Sequence, residues 1–309
     1  MNLEFLNNYN LSEKIYKAWE EKETKQTKRD YLGISSIGNK CDRYLWLLFR
    51  QAFKQTFPGR ILRLFNRGHR EEEIVYNDLK MLGCQIEGDQ YESTYGTFIK
   101  GHCDGVVLGL PEREKTRTLL EIKTIGDKYY KKYIKDGLEK TNIVYYTQMQ
   151  SYMYLMGLTR GLFFAVNKNT DEIYTEIIKI DKAFAIKQLE RADRITTLKT
   201  PPNGISDNPI SWWECRFCNA REVCSKMSYP VKNCKTCCFS TPTKQGWICE
   251  HGEFGEACGK HLYIPSLISD VFEMKDDGCI YHNIDGKIII NAPVDEFPKI
   301  TDKNIHDII

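Results

Sequence analysis

The chain has 309 residues, of which 28% are charged and 41% are hydrophobic, and its formal net charge is +2. These values indicate an ordinary globular protein of roughly two domains, and they exclude a global basic field that would attract a polyanion. The first residues lack the pattern of a signal peptide, and no apolar run approaches the ~20 residues of a membrane helix. We therefore expect a cytoplasmic protein with no membrane association.

Residue periodicity predicts an α/β chain in which helices flank a short set of strands. A loop rich in Pro, Gly and Asn at 200–209 precedes a cysteine-rich tail. The predicted elements, in chain order, are a helix at 11–29, an aromatic-rich helix carrying Cys41 near its start, a helix at 65–83, strands within 95–110 and at 117–126, helices at 127–140 and 142–157, strands at 160–168 and 172–180, a helix at 182–199, and a hairpin at 276–293.

Two carboxylates are predicted to meet in the central strands. Residues two apart in a strand share a face, so Glu121 and Lys123 point the same way while Ile122 points into the core. Asp104, on the neighbouring strand, can bring a second carboxylate beside Glu121. Such a pair suits Mg²⁺ or Mn²⁺, and the lysine can orient a metal-bound water. The alternative is a charged hairpin without catalytic function.

Two predicted helices carry further polar pairs. His69 shares a helix face with Glu72 and Glu73, and Gln148 lies four residues before Tyr152 on a later helix. The later pair can hold a DNA phosphate or the catalytic lysine. Ordinary amphipathic packing is the alternative for both helices.

Taken together, these motifs resemble the PD-(D/E)XK nuclease superfamily, in its RecB-type exonuclease branch. That branch combines a helix with G…H, a strand Asp, an E-x-K strand and a Q-x-x-x-Y helix. The chain has these motifs in the same order, over about residues 30 to 225: Gly68–His69, Asp104, Glu121-Ile122-Lys123 and Gln148…Tyr152. One departure is that Cys103, not proline, precedes Asp104.

The resemblance implies a restriction-endonuclease-like core, with a central mixed sheet flanked by helices. It makes Lys123 the catalytic lysine and places Gln148 and Tyr152 on a DNA-facing helix. The Mg²⁺ or Mn²⁺ ligands that it implies are His69, Asp104, Glu121 and the backbone carbonyl of Ile122.

Lysines on the helix after the E-x-K strand can share one face and meet DNA phosphates. Tyr129, Tyr130 and Tyr133 are interleaved with them and could stack on unpaired bases. A solvated helix with buried tyrosines is the alternative. The four predicted DNA-binding residues are Lys128, Lys131, Lys132 and Lys135.

Nine of the twelve cysteines lie between Cys215 and Cys279, and clustered cysteines in a reducing compartment indicate metal. An iron–sulfur subgroup of RecB-type nucleases, found in AddB-type and CRISPR-associated enzymes, has one cysteine before the core and three after it as C-x2-C-x5-C. By that resemblance a [4Fe–4S] cluster is held by Cys41, Cys215, Cys218 and Cys224. The alternative is zinc, with Cys234 as the fourth ligand instead of Cys41.

The tail has the ligand spacing of a zinc ribbon, in which a metal substitutes for a small core. The four ligands expected for this Zn²⁺ are Cys234, Cys237, Cys249 and Cys258, with His261 or His251 as substitutes. We accordingly predict a nuclease domain at 1–228 and a cysteine-rich zinc-binding module at 229–309.

The predicted function is metal-dependent exonucleolytic hydrolysis of DNA in recombination, repair or phage DNA processing. By analogy the protein is expected to be phage-encoded, to act in a bacterial or phage-infected cell, and to work with a single-strand annealing protein or another recombination factor. The rival is a non-catalytic nucleic-acid-binding protein whose metal sites are structural. An iron–sulfur redox protein is a third, weaker alternative.

Overall fold

The computed structural model describes residues 10–24, 29–87, 91–111, 114–252, 254–255, 257–294 and 305–309. Among these residues, no helix is long and apolar enough to cross a membrane. The α-helices are α1 (Leu11–Thr24), α2 (Asp42–Phe49), α3 (Gly59–Met81), α4 (Asp127–Thr141), α5 (Ile143–Leu155), α6 (Lys182–Thr197) and α7 (Arg221–Cys224).

The strands form one five-stranded, one four-stranded, one three-stranded and one two-stranded sheet, so the described chain is mixed α/β. They are β1 (Leu32–Gly33), β2 (Gln85–Glu87), β3 (Glu92–Tyr95), β4 (Ile99–His102), β5 (Gly105–Leu108), β6 (Thr118–Ile125), β7 (Arg160–Asn167), β8 (Ile173–Lys179), β9 (Ser240–Thr243), β10 (Gly246–Cys249), β11 (Phe272–Met274), β12 (Ile280–Ile284), β13 (Lys287–Asn291) and β14 (Ile305–Ile308).

The five-stranded sheet has the order β2-β5-β6-β7-β8, and only β6 and β7 run parallel. This mixed central sheet matches the predicted one. The middle strands β6 and β7 are largely buried, because helices cover both faces. On one face Val75 and Leu79 of α3 pack in a core with Ile122 and Phe164. Ile122 thus points into the core, as its alternation with Glu121 and Lys123 predicts.

Helix α4 is broken where the sequence predicts a continuous helix. Gly137 has a φ of 74°, a conformation that glycine adopts without steric cost. The carboxylate of Glu176 then accepts a 2.8 Å hydrogen bond from the backbone N–H of Leu138, which restarts the helix. A single glycine in an otherwise helical pattern does not by itself reveal such a break.

The chain divides into two compact units. Unit 1 comprises Met1–Asp30, Gln55–Ser93 and Gly101–Ile186, and unit 2 comprises Tyr31–Lys54, Thr94–Lys100 and Lys187–Ile309. Unit 1 contains the five-stranded sheet. The predicted boundary between residues 228 and 229 lies inside unit 2, and the division into a nuclease domain and a zinc-binding module stays a prediction.

The tail contains more sheet than the single hairpin predicted from sequence. The hairpin is present as β12 and β13, and β11 and β14 extend it to four strands. A second hairpin, β9–β10, precedes it. Short strands such as β11 carry too few residues to show an alternating pattern.

His282 lies inside this tail sheet and is 1% exposed, with its ring 6.0 Å from that of Phe272. Neither ring nitrogen has a hydrogen-bond partner in the described residues. Burial, together with the charge of Lys226, lowers the pKa of His282 to about 4. The unfolded chain, with a histidine pKa of about 6.5, therefore binds more protons between these values.

The stability of the tail is accordingly expected to fall as the pH drops from about 6.5 toward 4. His282→Phe should retain about 1–2 kcal/mol of unfolding free energy that the parent loses between pH 7.5 and pH 5. Urea unfolding at the two pH values measures this difference, with the exposed His251→Phe as the matched control. Equal losses in the parent and in His282→Phe would contradict the prediction.

Candidate active site and cysteine clusters

Strand β6 places Glu121 and Lys123 on the sheet face opposite the core residue Ile122. Glu121 is fully buried, and the Lys123 ammonium donates hydrogen bonds to its Oε1 and, at 3.1 Å, to the carbonyl of Ile122. The ammonium also lies 4.0 Å from Oδ2 of Asp104. One cation is therefore surrounded by three oxygens that the sequence predicts as metal ligands.

Asp104 immediately precedes β5, which pairs antiparallel with β6. Its Oδ2 accepts a 2.7 Å hydrogen bond from the backbone N–H of Ile122. Its own carbonyl accepts a hydrogen bond from the Tyr76 hydroxyl on α3. Both ends of Asp104 are thus held by secondary structure, and its carboxylate lies beside the E-x-K strand.

Helix α5 supports the cluster from within the protein. Gln148 donates a 2.7 Å hydrogen bond from Nε2 to Oε1 of Glu121, and Tyr152 donates a 2.8 Å hydrogen bond to the carbonyl of His102. Both side chains are buried. The polar atoms of these two side chains are directed into the fold, and the assignment of their helix to a DNA-facing position stays a prediction. They position other groups of the site.

The electrostatics of the cluster depend on burial. Burial raises the pKa of Glu121 to about 8, although the nearby Lys123 ammonium acts in the opposite direction. Burial also acts to lower the pKa of Lys123, but the carboxylates of Glu121 and Asp104 outweigh it and raise that pKa. The second oxygen of Glu121, Oε2, is buried and has no hydrogen-bond partner among the residues that the structure describes. A buried carboxylate oxygen left without a partner fits a site that receives a cation.

His69 does not join this cluster. Its side chain is 70% exposed, and its Nδ1 lies 3.4 Å from Oε1 of Glu72, one helical turn further along α3. Glu72, in contrast, interacts electrostatically with the cluster. Its pKa is raised by burial and by the charge of Asp104, and lowered by His69 and Lys123. The sequence shows only that Glu72 and His69 share a helix face, so the closer approach of Glu72 could not be predicted.

The four lysines predicted to bind DNA are all exposed on α4. Lys131 forms a 2.7 Å ion pair with Asp127, and the ammonium of Lys132 lies over the ring of Tyr129. Tyr130 and Tyr133 are buried, so they cannot stack on bases, and only Tyr129 among the three tyrosines is exposed. The lysines are available to a polyanion, whereas the tyrosines mostly belong to the core.

The first cysteine group assembles from distant parts of unit 2. Cys41 is the N-cap residue of α2, where its sulfur accepts from the backbone N–H of Tyr44. Burial raises the pKa of Cys218, and the charges of Cys41, Cys224 and Cys215 raise it further. The four thiols of the predicted iron–sulfur site therefore interact electrostatically.

The thiols of the second group, the predicted zinc ligands, also interact electrostatically. Burial raises the pKa of Cys234, and so do the charges of Cys237, Cys249 and Cys258. These are the three other ligands predicted for zinc. The Cys238 thiol, through a hydrogen bond, lowers the pKa of Cys237 well below its usual value. That bond places the Cys238 thiol beside Cys237, one of the predicted zinc ligands.

The two histidines proposed as substitute zinc ligands have other partners. His261 is buried, and its Nε2 lies 3.2 Å from the carbonyl of Asn233. The ring of His251 packs edge-on against Phe239 at 4.3 Å. In the part of the chain that the structure describes, no group of three or more His, Cys, Asp or Glu side chains is close enough to ligate one metal ion.

A substitution of Gln148 tests how much its hydrogen bond to Glu121 contributes to the predicted nuclease activity. Gln148→Leu removes the amide that holds Oε1 of Glu121 while conserving most of the buried volume. We expect DNA degradation to slow by about 10- to 100-fold, as for other groups that orient a metal ligand. Ser151→Ala on the same buried helix is the control, because its hydroxyl donates to the carbonyl of Thr147 and lies outside the bond between Gln148 and Glu121. If Gln148→Leu degrades DNA at the parental rate, Gln148 has no role in the site.

No protein-family model and no curated protein matches the sequence. Among solved structures, the chain is similar to SSO0001, with 17% identity and a TM-score of 0.42 over 68% of this chain and 93% of that one. It is also similar to LHK-Exo, an alkaline exonuclease from Laribacter hongkongensis, with 16% identity and a TM-score of 0.41 over 59% of this chain and 90% of that one. A phage related exonuclease from Haemophilus somnus 129PT follows, with 18% identity and a TM-score of 0.33 over 43% and 68%. TM-scores this low leave the function to be argued from the site itself.

Proposed function

We propose that this protein is a metal-dependent DNA exonuclease of the PD-(D/E)XK type. The observation that carries the proposal is the placement of Lys123 between the carboxylates of Asp104 and Glu121, with Oε2 of Glu121 buried and unpartnered within the described part of the chain. A buried cluster of two carboxylates and a lysine is costly to maintain for stability alone. It suits a reaction in which negative charge builds up on a phosphate.

Asp104, Glu121 and the carbonyl of Ile122 would hold Mg²⁺ or Mn²⁺, and Glu72, which interacts with Asp104 and Lys123, would supply a further ligand in place of His69. When bound, the ion polarises the phosphodiester and lowers the pKa of its bound water. The ammonium of Lys123 would orient the attacking water and neutralise the charge that develops on the phosphate. Gln148 would keep Glu121 aligned through its hydrogen bond to Oε1.

The exposed lysines of α4 would bind the DNA backbone, because each can neutralise a phosphate without contacting a base. Net charge across the whole chain is only +2, so this local patch carries the attraction. We propose that the protein acts in the cytoplasm of a bacterial or phage-infected cell. A single-strand annealing protein or another recombination factor would use the strand it exposes.

The first thiol group would hold a [4Fe–4S] cluster, and the second would hold Zn²⁺. Each set supplies four thiols that interact electrostatically, and four thiols are the donor chemistry of such sites. Hydrolysis needs no electron transfer, so the cluster would be a structural link between α2 and the chain around α7. The zinc would stabilise the β9–β10 hairpin in the same manner.

End-labelled linear DNA and covalently closed circular DNA, each with Mg²⁺, Mn²⁺ or EDTA, test the proposed activity. An exonuclease degrades the linear molecule in the presence of metal and leaves the closed circle intact. Loss of the circle would indicate endonucleolytic cleavage. Binding of DNA without degradation of either molecule would favour the rival, a non-catalytic nucleic-acid-binding protein.

Metal analysis of single cysteine variants tests the two thiol groups. Anaerobically purified protein should contain about four iron ions and one zinc ion and absorb broadly near ~400 nm. Cys218→Ser should lose the iron and the colour but keep the zinc, whereas Cys249→Ser should do the reverse. Cys279→Ala, which lies outside both groups, should keep both metals. A colourless, zinc-only parent would contradict the iron–sulfur assignment.

A further inference from the structure

Unit 2 exposes a set of large apolar side chains on the turn that carries Cys215 and Cys218. Phe217 is 85% exposed and Trp213 is 68% exposed, and Ile210 and Trp212 are exposed beside them in sequence. Exposed single apolar residues are common, but three exposed aromatic rings within six residues form an apolar patch of the kind that marks a binding surface. We call Trp212, Trp213, Arg216 and Phe217 the aromatic turn.

The backbone of the aromatic turn is fixed by its own hydrogen bonds. The carbonyl of Asn208 accepts from the backbone N–H of Trp212 at 3.2 Å, and the carbonyl of Trp212 accepts from that of Cys215 at 3.1 Å. Arg221 donates a 2.9 Å hydrogen bond to the carbonyl of Ile210. The rings are therefore displayed on an ordered turn, which lowers the entropy cost of binding a ligand.

The charge around these rings is positive. Arg216 is exposed, and its guanidinium lies 5.9 Å from the centre of the Phe217 ring. The one carboxylate within the turn, Glu214, forms an ion pair with Lys40 and accepts a hydrogen bond from the indole of Trp212. With Glu214 neutralised, the cation nearest the exposed rings is free to meet an anion.

We propose that the aromatic turn is a stacking surface for unpaired bases of single-stranded DNA. Aromatic faces stack on any base and a guanidinium binds the adjoining phosphate, so such a surface is sequence-tolerant. Bases in a duplex are stacked on each other and cannot lie against Trp213 or Phe217. This inference rests on the proposed function, since it takes DNA to be the ligand, and it names the form of DNA that unit 2 recognises.

Fluorescence anisotropy with labelled (dT)20 in EDTA tests the proposal on anaerobically purified full-length protein. The double variant Trp213→Ala/Phe217→Ala is expected to bind (dT)20 with a Kd raised by roughly 5- to 150-fold for each stacked base lost. Binding of a blunt duplex should be unchanged. Arg216→Ala should reduce the slope of log Kd against log salt by about one. Met274→Ala, which removes another exposed apolar side chain of unit 2, is the matched control.

Parallel measurements separate this inference from the proposed function. Asp104→Asn should bind (dT)20 as the parent does while failing to degrade DNA. If the parent degrades no DNA but the double variant binds (dT)20 more weakly, the nuclease proposal fails and the stacking surface stands. If the double variant keeps parental affinity and metal content, the stacking surface is overturned. A change from dimer to monomer by light scattering, with unchanged DNA affinity, would also overturn it and identify a second copy as the occupant.

Discussion

Asp104→Asn and Lys123→Ala are each expected to reduce Mn²⁺-dependent DNA degradation by about 10³-fold or more. Asp104→Asn keeps an oxygen that can accept from the backbone N–H of Ile122 but removes the negative charge that a metal ion needs. Lys123→Ala removes the ammonium that lies among the carboxylates and would neutralise charge on the phosphate. Release of acid-soluble nucleotides from end-labelled linear DNA, under single-turnover conditions, measures the effect.

Asp136→Asn provides the comparison for Asp104→Asn, because it removes one exposed carboxylate of unit 1 away from the cluster. Thermal unfolding and metal content should show that Asp104→Asn keeps the fold and any iron. Lys123→Ala leaves Glu121 buried without its cation, so Glu121 takes up a proton more readily and the fold is retained at neutral pH. If both variants degrade DNA at the parental rate, the catalytic assignment is wrong.

Arg50→Ala is expected to destabilise unit 2 by about 3–5 kcal/mol, since it removes a fully buried side chain and the donor to the Lys235 carbonyl, whereas the Leu198 carbonyl keeps the indole N–H of Trp46. The guanidinium lies between the rings of Trp46 and Trp247, at 4.9 and 5.0 Å from their centres. It also donates hydrogen bonds of 2.8 Å and 2.7 Å to the carbonyls of Lys235 and Leu198. Burial lowers the pKa of Arg50 to about 9, so the side chain remains charged at neutral pH.

Arg50→Lys is the informative companion variant. A lysine keeps the charge but cannot stack flat between two indoles or donate to both carbonyls, so it should recover only part of the loss. Arg63→Ala, which removes an exposed arginine, controls for loss of charge alone. Thermal melting and resistance to limited proteolysis, with zinc content, measure the result. A melting temperature of Arg50→Ala equal to that of the parent would refute the role given to Arg50.

The part of the site that could be predicted from sequence is the part set by strand alternation. Glu121 and Lys123 are two residues apart, so any strand puts them on one face, and Asp104 follows as the residue that opens the adjacent strand. The positions of Glu72 and Gln148 could not be predicted, because they depend on how α3 and α5 pack on the sheet. A four-residue spacing places Gln148 and Tyr152 on one helix face but does not say whether that face is buried.

The cysteine groups show the same division. The spacing within Cys215–Cys224 could be recognised directly. The position of Cys41 relative to these cysteines depends on tertiary packing, because Cys41 and Cys215 are 174 residues apart in the sequence. The tail strands β11 and β14 were missed for a different reason: they are short, and their pairing with β12 and β13 supplies order that their own residues do not encode. Local patterns therefore predict chemistry along one element more reliably than contacts between elements.

The contacts of Arg50 also set an order of events during translation. Its hydrogen bond to the carbonyl of Lys235 spans 185 residues, and that to Leu198 spans 148. At about 5–20 residues per second, the ribosome needs roughly 10–40 s to synthesise the intervening chain. Throughout that interval Trp46 and Arg50 have been synthesised but lack these partners. All of unit 1, in contrast, has been synthesised once residue 186 is added. The nascent chain is therefore expected to fold unit 1 first. Until the tail emerges, the α2 segment is expected to need chaperones that shield it.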